Sequence, residues 1–174
     1  MNYSSIGRHI ALVVFILGIQ IFVLQRVDLT FGDFKYIHLF VYPYLVMTLP
    51  FNFNKYYLLI YAFCIGMIVD VFLGSYGIHA ASLVLIGMMR PTIYRLLEPR
   101  EGYTVGDQPA VAKQGLTWVL TTTMILLSTF CLFLFSVEAF SFVYLSEILL
   151  RSIFSFLGSM ILILLTFILF NSKG

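Results

Sequence analysis

The stretch 66-GMIVDVFLGSYGIH-79 places one carboxylate, that of Asp70, inside an otherwise apolar segment. At helical pitch Gly66, Asp70 and Gly74 recur at every fourth position, so they share one face of a helix. This spacing predicts a groove without side chains above and below the acid, where another backbone can approach closely. Gly74 and Gly77 predict that the helix then ends and that the chain turns back.

Asp70 has two interpretations, and the sequence leaves both open. In the first, a helical hairpin buries the acid, which bonds a neighbour and fixes the packing. In the second, Asp70 belongs to a functional or partner-facing polar site, the default interpretation of an ionisable group at membrane depth. His79 opens the next apolar run. If the turn folds it back over the helix end, we expect a charge-assisted hydrogen bond between its side chain and Asp70.

The composition of the chain is that of a membrane protein. Its 174 residues are 61% hydrophobic and 10% charged, whereas about a quarter of the residues are charged in a soluble domain. Lipid accepts such an apolar exterior around helices that satisfy their own backbone hydrogen bonds. The ten basic residues are dispersed and the net charge is +2, so the sequence lacks the clustered basic face of a nucleic-acid-binding protein.

Apolar runs predict an all-α membrane protein, a bundle of six transmembrane helices in one integral membrane domain, 1–174. The run 36–50 is short for a hydrocarbon core of about 30 Å and contains Pro43, so we expect a kinked second span. Pro91 predicts a kink in the fourth span. The polar stretch 98–114 is expected to be a surface loop. The spans are predicted at approximately 9–25, 36–50, 56–73, 80–97, 115–137 and 147–170.

The distribution of basic residues predicts the orientation. With the amino terminus inside, seven of the ten basic residues lie at or near the inner face and three lie outside. Because loops rich in Lys and Arg stay in the cytoplasm, we expect both termini there and Asp70 toward the outer face. Arg90 and Arg95 are expected to extend their side chains to the inner surface. The inner set is Arg8, Lys55, Arg90, Arg95, Arg100, Lys113 and Lys173, and the outer set is Arg26, Lys35 and Arg151.

Charged and small residues mark the sixth span. Glu147 and Arg151 stand at the favourable acid-first spacing of four residues, so we expect them to pair on one helix face. Further along, Ser155, Gly158 and Ser159 permit another backbone to approach closely. That neighbour lies either inside the bundle or in a partner protein, and the sequence does not decide between the two.

The sequence offers no set of residues for catalysis. An enzyme needs several polar side chains that converge at a similar depth, and nucleophile motifs, phosphate loops and paired acids are missing from the sequence. His9, His38 and His79 do not have the spacing of metal ligands, and Cys64 and Cys131 lie in apolar runs. We therefore expect no enzyme, with no catalytic residues, no metal and no cofactor. A transporter stays open as an alternative, since prolines interrupt two of the spans.

Several strings together resemble a known family. They are the GxxxDxxxG turn at 66–74 followed by GIHAA at 77–81, the RPxxYRLLxPREGY string at 90–103, and the YPY and LP dipeptides around 42–50. With about six spans in fewer than 180 residues, they resemble the MreD family of bacterial rod shape-determining proteins, in the form found in Bacteroidetes-like bacteria. The resemblance is strongest from about residue 42 to residue 103 and weak in the last two spans.

The resemblance implies a non-enzymatic scaffold in the inner membrane that belongs to the cell-elongation (Rod) complex. Its expected direct partner is MreC. MreB, RodA and a class B penicillin-binding transpeptidase are expected as indirect partners in lateral peptidoglycan synthesis and the control of cell shape. The family is also similar in fold to the six-helix substrate-capture subunits of energy-coupling-factor transporters. The alternative function is therefore that of a substrate-binding membrane subunit of a small-molecule, vitamin-type transporter.

The resemblance supplies no catalytic residues, and it points only to positions in the matched turn and string. These positions either contact a partner or have a structural role inside the membrane. Membrane lipid is the other expected contact, and nucleic acid is not expected. The candidate residues are Gly66, Asp70, Gly74, Gly77, His79, Arg90 and Pro91.

Overall fold

The computed structural model describes residues 3–24, 29–31, 34–99, 102–103, 108–139 and 145–171. Within these ranges the chain forms seven helices and one antiparallel hairpin. The helices are α1 (Tyr3–Phe22), α2 (Pro43–Met47), α3 (Lys55–Leu73), α4 (Ile78–Leu96), α5 (Val111–Gln114), α6 (Leu116–Ala139) and α7 (Leu145–Asn171). The strands are β1 (Leu29–Phe31) and β2 (Phe34–Ile37).

Three helices are long and apolar enough to cross a membrane, by length and composition. They are α3, α6 and the part of α7 from Leu145 to Phe170. The chain is thus a helical membrane protein, and this part of the predicted fold class is confirmed. Helix α4 is as long as α3, 19 residues, but it contains Arg90 and Arg95.

Some of the predicted features fall on residues outside the described ranges. Parts of the polar stretch 98–114 belong to this group, namely 100–101 and 104–107. Its last four residues, Val111–Gln114, form the short helix α5. Three of the basic residues on which the predicted orientation depends, Arg26, Arg100 and Lys173, also lie outside the described residues.

The prediction of a kinked helix over residues 36–50 is wrong. The strand β2 ends at Ile37, and the only helix in this stretch is α2, which has five residues. A 15-residue helix would be about 22 Å long, which is shorter than a hydrocarbon core of about 30 Å. Extended chain covers about 3.3 Å per residue, so a partly non-helical run of the same length reaches further.

Side chains of two flanking helices satisfy the backbone of this non-helical segment. The backbone N–H groups of His38 and Phe40 donate to the hydroxyls of Ser155 and Ser159 in α7, at 2.9 and 2.8 Å. On the opposite side, the Gln20 amide in α1 donates to the Leu39 carbonyl and accepts from the Val41 N–H, both at 2.9 Å. Every residue from 40 to 49 is buried. Non-helical backbone is tolerated at membrane depth when protein surrounds it in this way.

The small residues of α7 thus contact the chain's own segment. A Cβ atom added to Gly158 would lie 2.6 Å from Cδ2 of Leu39, so the Leu39 side chain packs directly against the glycine and would have to move for a larger residue. The sequence left open whether the backbone that approaches Ser155, Gly158 and Ser159 belongs to the bundle or to a partner protein. The structure shows a neighbour inside the bundle. The predicted pair of Glu147 and Arg151 is also present, with a distance of 2.6 Å between Oε1 and Nη2.

Helices α3 and α4 form an antiparallel hairpin at the centre of the chain, and α4 also packs against α6. Helix α4 continues through Pro91, which lies inside it. The buried core comes from α1, α2, α3, α4, α6 and α7, and it includes Leu45, Leu58, Leu83, Leu127 and Ile163. The polar groups of the candidate site lie in the turn before α4 and in its second half.

Candidate functional site

The turn between α3 and α4 is made by residues in the left-handed region. Gly74 ends α3 with φ 67°, and Gly77 precedes α4 with φ 90°. Between them Tyr76 has φ 51° and is the non-glycine residue with positive φ among the described residues. The prediction that Gly74 and Gly77 end the helix and reverse the chain is confirmed, because both adopt a conformation that is open to glycine at no steric cost.

Asp70 joins the end of α3 to the start of α4. Its backbone carbonyl accepts hydrogen bonds from the N–H groups of Gly74, at 2.8 Å, and Ser75, at 3.2 Å. Its carboxylate accepts three more: Oδ1 from the Ser75 hydroxyl at 2.6 Å and the His79 N–H at 3.1 Å, and Oδ2 from the Ala80 N–H at 2.9 Å. The side chain is only 4% exposed.

The carboxylate of Asp70 caps the amino terminus of α4 from the preceding helix. The first N–H groups of a helix have no partner within it, and a side chain at the N-cap position usually accepts from them. Here Gly77 occupies the N-cap position and offers no side chain. Asp70 supplies the acceptor instead, and its negative charge is stabilised by the dipole of α4. These contacts are internal to the chain, as in the first interpretation of Asp70.

The imidazole of His79 contacts Tyr42 and not Asp70. A hydrogen bond of 2.6 Å joins His79 Nδ1 to the Tyr42 hydroxyl, and both side chains are buried. The predicted charge-assisted bond between the side chains of Asp70 and His79 is therefore wrong. It is the backbone N–H of His79 that reaches the acid. The rings of Phe40 and Phe130 pack around the Tyr42 ring, with centroids 6.1 and 5.7 Å away.

Gly66 allows α3 and α4 to approach each other closely. A Cβ atom added at this position would lie 2.6 Å from the backbone nitrogen of Ala80 and closer still to its Cα. The predicted close approach is thus confirmed at Gly66, and the approaching backbone is the chain's own α4. Gly74 is not part of this contact, since a Cβ atom added there would have nothing within 4 Å.

Arg90 lies toward the other end of α4, six residues before its last residue, Leu96. Its Nη2 atom donates to the backbone carbonyls of Leu49 and of Pro50, the latter at 3.3 Å. Its Cζ atom lies 4.6 Å from the centre of the Tyr94 ring, and the Tyr94 hydroxyl donates to the Met47 carbonyl at 2.7 Å. These groups bind carbonyls at the last residue of α2 and just beyond it.

The prediction that Arg90 extends to the membrane surface is wrong, since the residue is 2% exposed. The carbonyls that follow α2 lie close to it, and binding them replaces contact with water. Arg95, one turn further along α4, is exposed. Pro91, the other candidate at this end, contributes no N–H group to α4.

Aromatic rings cover the arginine end of α4. The rings of Phe51 and Tyr103 stack with centroids 3.9 Å apart, and the Trp118 indole donates to the Leu97 carbonyl at 2.8 Å. The Tyr103 hydroxyl donates to the Tyr94 carbonyl at 2.8 Å. Burial among these rings raises the pKa of Tyr103 to about 12. The tyrosines of the RPxxYRLLxPREGY string therefore close the end of the bundle.

A separate cavity of about 180 Å³ lies between the end of α6 and the start of α7. Arg151 contacts Glu147 at 2.6 Å and Glu138 at 3.8 Å there. Residues 140–144, which join the two helices, are outside the described residues. The lining residues are Phe135, Glu138, Ala139, Glu147, Ile148 and Arg151.

Sequence reasoning missed Gln20 and Tyr42 as parts of the polar framework. Gln20 carried a usable signal, since it is a polar residue inside an apolar run, just as Asp70 is. Tyr42 carried none, because tyrosine is also common at membrane interfaces. Among the residues that the structure describes, no group of three or more His, Cys, Asp or Glu side chains could hold a metal ion.

Fold and site together define a helical membrane protein whose buried charged groups bind backbone atoms of the same chain. Comparison of the sequence and structure with family models, with curated proteins and with solved structures gives no match.

Proposed function

We propose that the chain is a non-enzymatic membrane scaffold of the MreD type, which binds MreC in the cell-elongation complex. One observation supports this proposal above the others. The polar residues of the resembling strings, including Asp70, His79, Arg90 and Tyr94, bind other parts of the same chain. The strings thus specify a particular bundle. The apolar outer faces of the helices are what remains for contact with other molecules.

The same contacts are the reason why we propose no reactive centre. The carboxylate of Asp70 accepts three hydrogen bonds, and its geometry is that of a helix cap. Arg90 faces carbonyl oxygens and an aromatic ring. A catalytic acid, base or electrophile has to face a site that a substrate can enter. We therefore propose a role in assembly and no enzymatic activity, catalytic residue, metal or cofactor.

We propose six crossings of the inner membrane, five by helices and one by the segment 38–50. Tyr42, early in this segment, contacts His79 at the start of α4. Met47 contacts Tyr94 near the end of α4. The segment therefore runs beside α4 in the same direction, from one side of the bundle toward the other. An even number of crossings leaves both termini on one side, and the basic residues favour the cytoplasm. The crossing helices are α1, α3, α4, α6 and α7.

Binding to MreC is tested by purification from membranes in a mild detergent. A tagged copy of the chain is expected to retain MreC. A tagged Arg95→Leu chain, with its substitution at an exposed position, serves as the surface control in this purification. Depletion of the chain is expected to widen the cells and to reduce insertion of new wall along their sides. Loss of both results, with the chain still inserted and monodisperse, would exclude the scaffold proposal.

A vitamin-type transporter remains the alternative function, and an experiment can distinguish it from the scaffold. It requires tight binding of a small molecule by the purified chain and an ATPase partner. The cavity beside Arg151 lends it no support, because about 180 Å³ is below the range of about 300–1,000 Å³ that is common for ligand pockets. Saturable binding of a vitamin together with copurification of an ATPase would favour the transporter.

A further inference from the structure

Tyr76 is held in an unfavourable conformation, and its side chain has no compensating contact among the residues that the structure describes. Its φ of 51° lies in the left-handed region, where a side chain is strained. Its relative exposure is 101%, so the ring touches no other described part of the protein. Glycine would form the same turn with less strain. The presence of an aromatic ring here is therefore explained by something outside the chain.

The position of Tyr76 continues the exposed apolar face of α3. That face begins with Tyr56 and Tyr57, which are 77% and 66% exposed. Along the helix the face is lined by Ile60, Phe63, Met67, Val71 and Phe72, all exposed. It ends at the turn that carries Tyr76. Exposed tyrosines thus stand at both ends of one apolar face.

The distance between the two groups of tyrosines matches the thickness of a membrane. Helix α3 has 19 residues and is therefore about 28 Å long, close to the hydrocarbon core of about 30 Å. Tyrosine is enriched at both membrane interfaces, because its ring is apolar and its hydroxyl bonds headgroup oxygens and water. The turn residues from Leu73 to Ile78 carry no charge, so they suit a neutral lipid surface.

We propose that Tyr76 lies in the lipid headgroup layer and anchors the α3–α4 turn at the membrane surface. Tyr56 and Tyr57 form the corresponding anchor at the opposite surface, so α3 stands nearly along the membrane normal. Asp70 is then one turn below the surface, inside the bundle. The occupant of the space around Tyr76 is lipid, and this inference is independent of binding to MreC.

Depth-dependent quenching of tryptophan fluorescence tests the proposal. Tyr76→Trp is purified and reconstituted in phosphatidylcholine vesicles whose acyl chains carry bromine either near the headgroup or near the terminal methyl group. The side chain at position 76 is fully exposed within the described part of the chain, so the larger ring fits. The parent chain contains one tryptophan, Trp118, and its signal is subtracted. Phe63→Trp, midway along the exposed face of α3, is the matched control.

The indole introduced at position 76 is expected to lose more emission with the shallow bromine than with the deep one. The opposite order is expected for Phe63→Trp. Equal or stronger quenching by the deep bromine at position 76 would overturn the inference. So would unquenched emission at the wavelength of an indole in water. Emission that is shielded in cell membranes but exposed to water in lipid vesicles would identify a protein as the occupant and would likewise overturn it.

Discussion

Two buried side chains, Asp70 of α3 and Arg90 of α4, bind backbone groups near opposite ends of α4, one as an acceptor and the other as a donor. At the turn end, Asp70 accepts hydrogen bonds from the free N–H groups of α4. Toward the other end, Arg90 donates to the carbonyls of Leu49 and Pro50, which follow α2. Water would fill both roles in a soluble protein. Inside a membrane, backbone groups without partners need protein atoms, so a charge at each end replaces water.

The two ends differ in how completely the charge is satisfied. The Asp70 carboxylate has three donors, and the dipole of α4 stabilises its charge. Arg90 binds both carbonyls through Nη2, and its buried Nε atom has no hydrogen-bond partner among the described residues. The Tyr94 ring contributes through the guanidinium–ring contact. The turn end is thus fixed by directed hydrogen bonds, whereas the arginine end depends more on aromatic packing.

The largest expected effect comes from Gly66→Leu, which disrupts the turn end alone. A Cβ atom at this position overlaps the backbone of Ala80, so α3 and α4 have to separate and the Asp70 cap is lost. Overpacking alone costs about 1–3 kcal/mol. We expect no monodisperse protein in size-exclusion chromatography. Gly18→Leu is the control, since nothing lies within 4 Å of a Cβ atom at that position. A folded Gly66→Leu chain would contradict the tight contact.

Arg90→Leu is expected to have the next largest effect. It leaves the Leu49 carbonyl without the Arg90 donor, at about 1–3 kcal/mol for an unsatisfied buried group, whereas the Pro50 carbonyl keeps the Phe53 N–H at 3.2 Å. The midpoint of thermal unfolding, measured by circular dichroism in detergent, should fall clearly. Arg95→Leu removes an exposed arginine from the same helix and is expected to change stability by no more than about 0.5 kcal/mol. Equal midpoints for the two variants would show that Arg90 does not cap these carbonyls.

Asp70→Asn tests whether the cap needs both carboxylate oxygens. Each carboxylate oxygen of Asp70 accepts a hydrogen bond from an N–H group of α4. Asparagine replaces one of these oxygens by an NH₂ group, which cannot accept, so one N–H group of α4 loses its bond. We expect a loss of about 1–3 kcal/mol in the free energy of unfolding. Glu138→Gln, at an exposed acid, is the control. If Asp70→Asn is as stable as the parent chain but no longer binds MreC, Asp70 has a role in partner binding in addition to the cap.

Ser159→Ala is expected to have the smallest effect of the series. It removes the acceptor for the Phe40 N–H in the non-helical segment, and hydrogen bonds inside membranes average about 0.6 kcal/mol. Ser128→Ala is the matched control, because that hydroxyl only donates to the Ile125 carbonyl of its own helix. The difference between the two variants in unfolding midpoint measures what the segment gains from α7. No difference would indicate that packing around Gly158 holds the segment by itself.

Sequence patterns predicted the parts of the fold that depend on local chemistry. Long apolar runs predicted α3, α6 and α7, because a helix in lipid needs little more than apolar side chains over sufficient length. The glycines at 74 and 77 predicted the turn. The non-helical segment 38–50 was not predictable in this way. Its stability comes from Gln20, Ser155 and Ser159, which are far away in the sequence.

The positions of the candidate-site residues could be predicted from the sequence, but their hydrogen-bond partners could not. Asp70 and Arg90 stood out because ionised groups inside apolar segments are costly and have a reason to be there. The sequence did not reveal that His79 meets Asp70 through its backbone and Tyr42 through its ring. That choice depends on the direction in which α4 leaves the turn, and three left-handed residues set this direction.

The sequence by itself determined that this chain is a helical membrane protein with a tight turn after Asp70, since composition and glycine spacing act locally. Only the tertiary structure decided where the buried charges point. The helices and the non-helical segment leave specific N–H and carbonyl groups unpaired, and Asp70 and Arg90 bind the groups that lie within their reach. Which groups those are depends on how elements distant in the sequence pack together. For this reason, the partners of both residues became visible only in three dimensions.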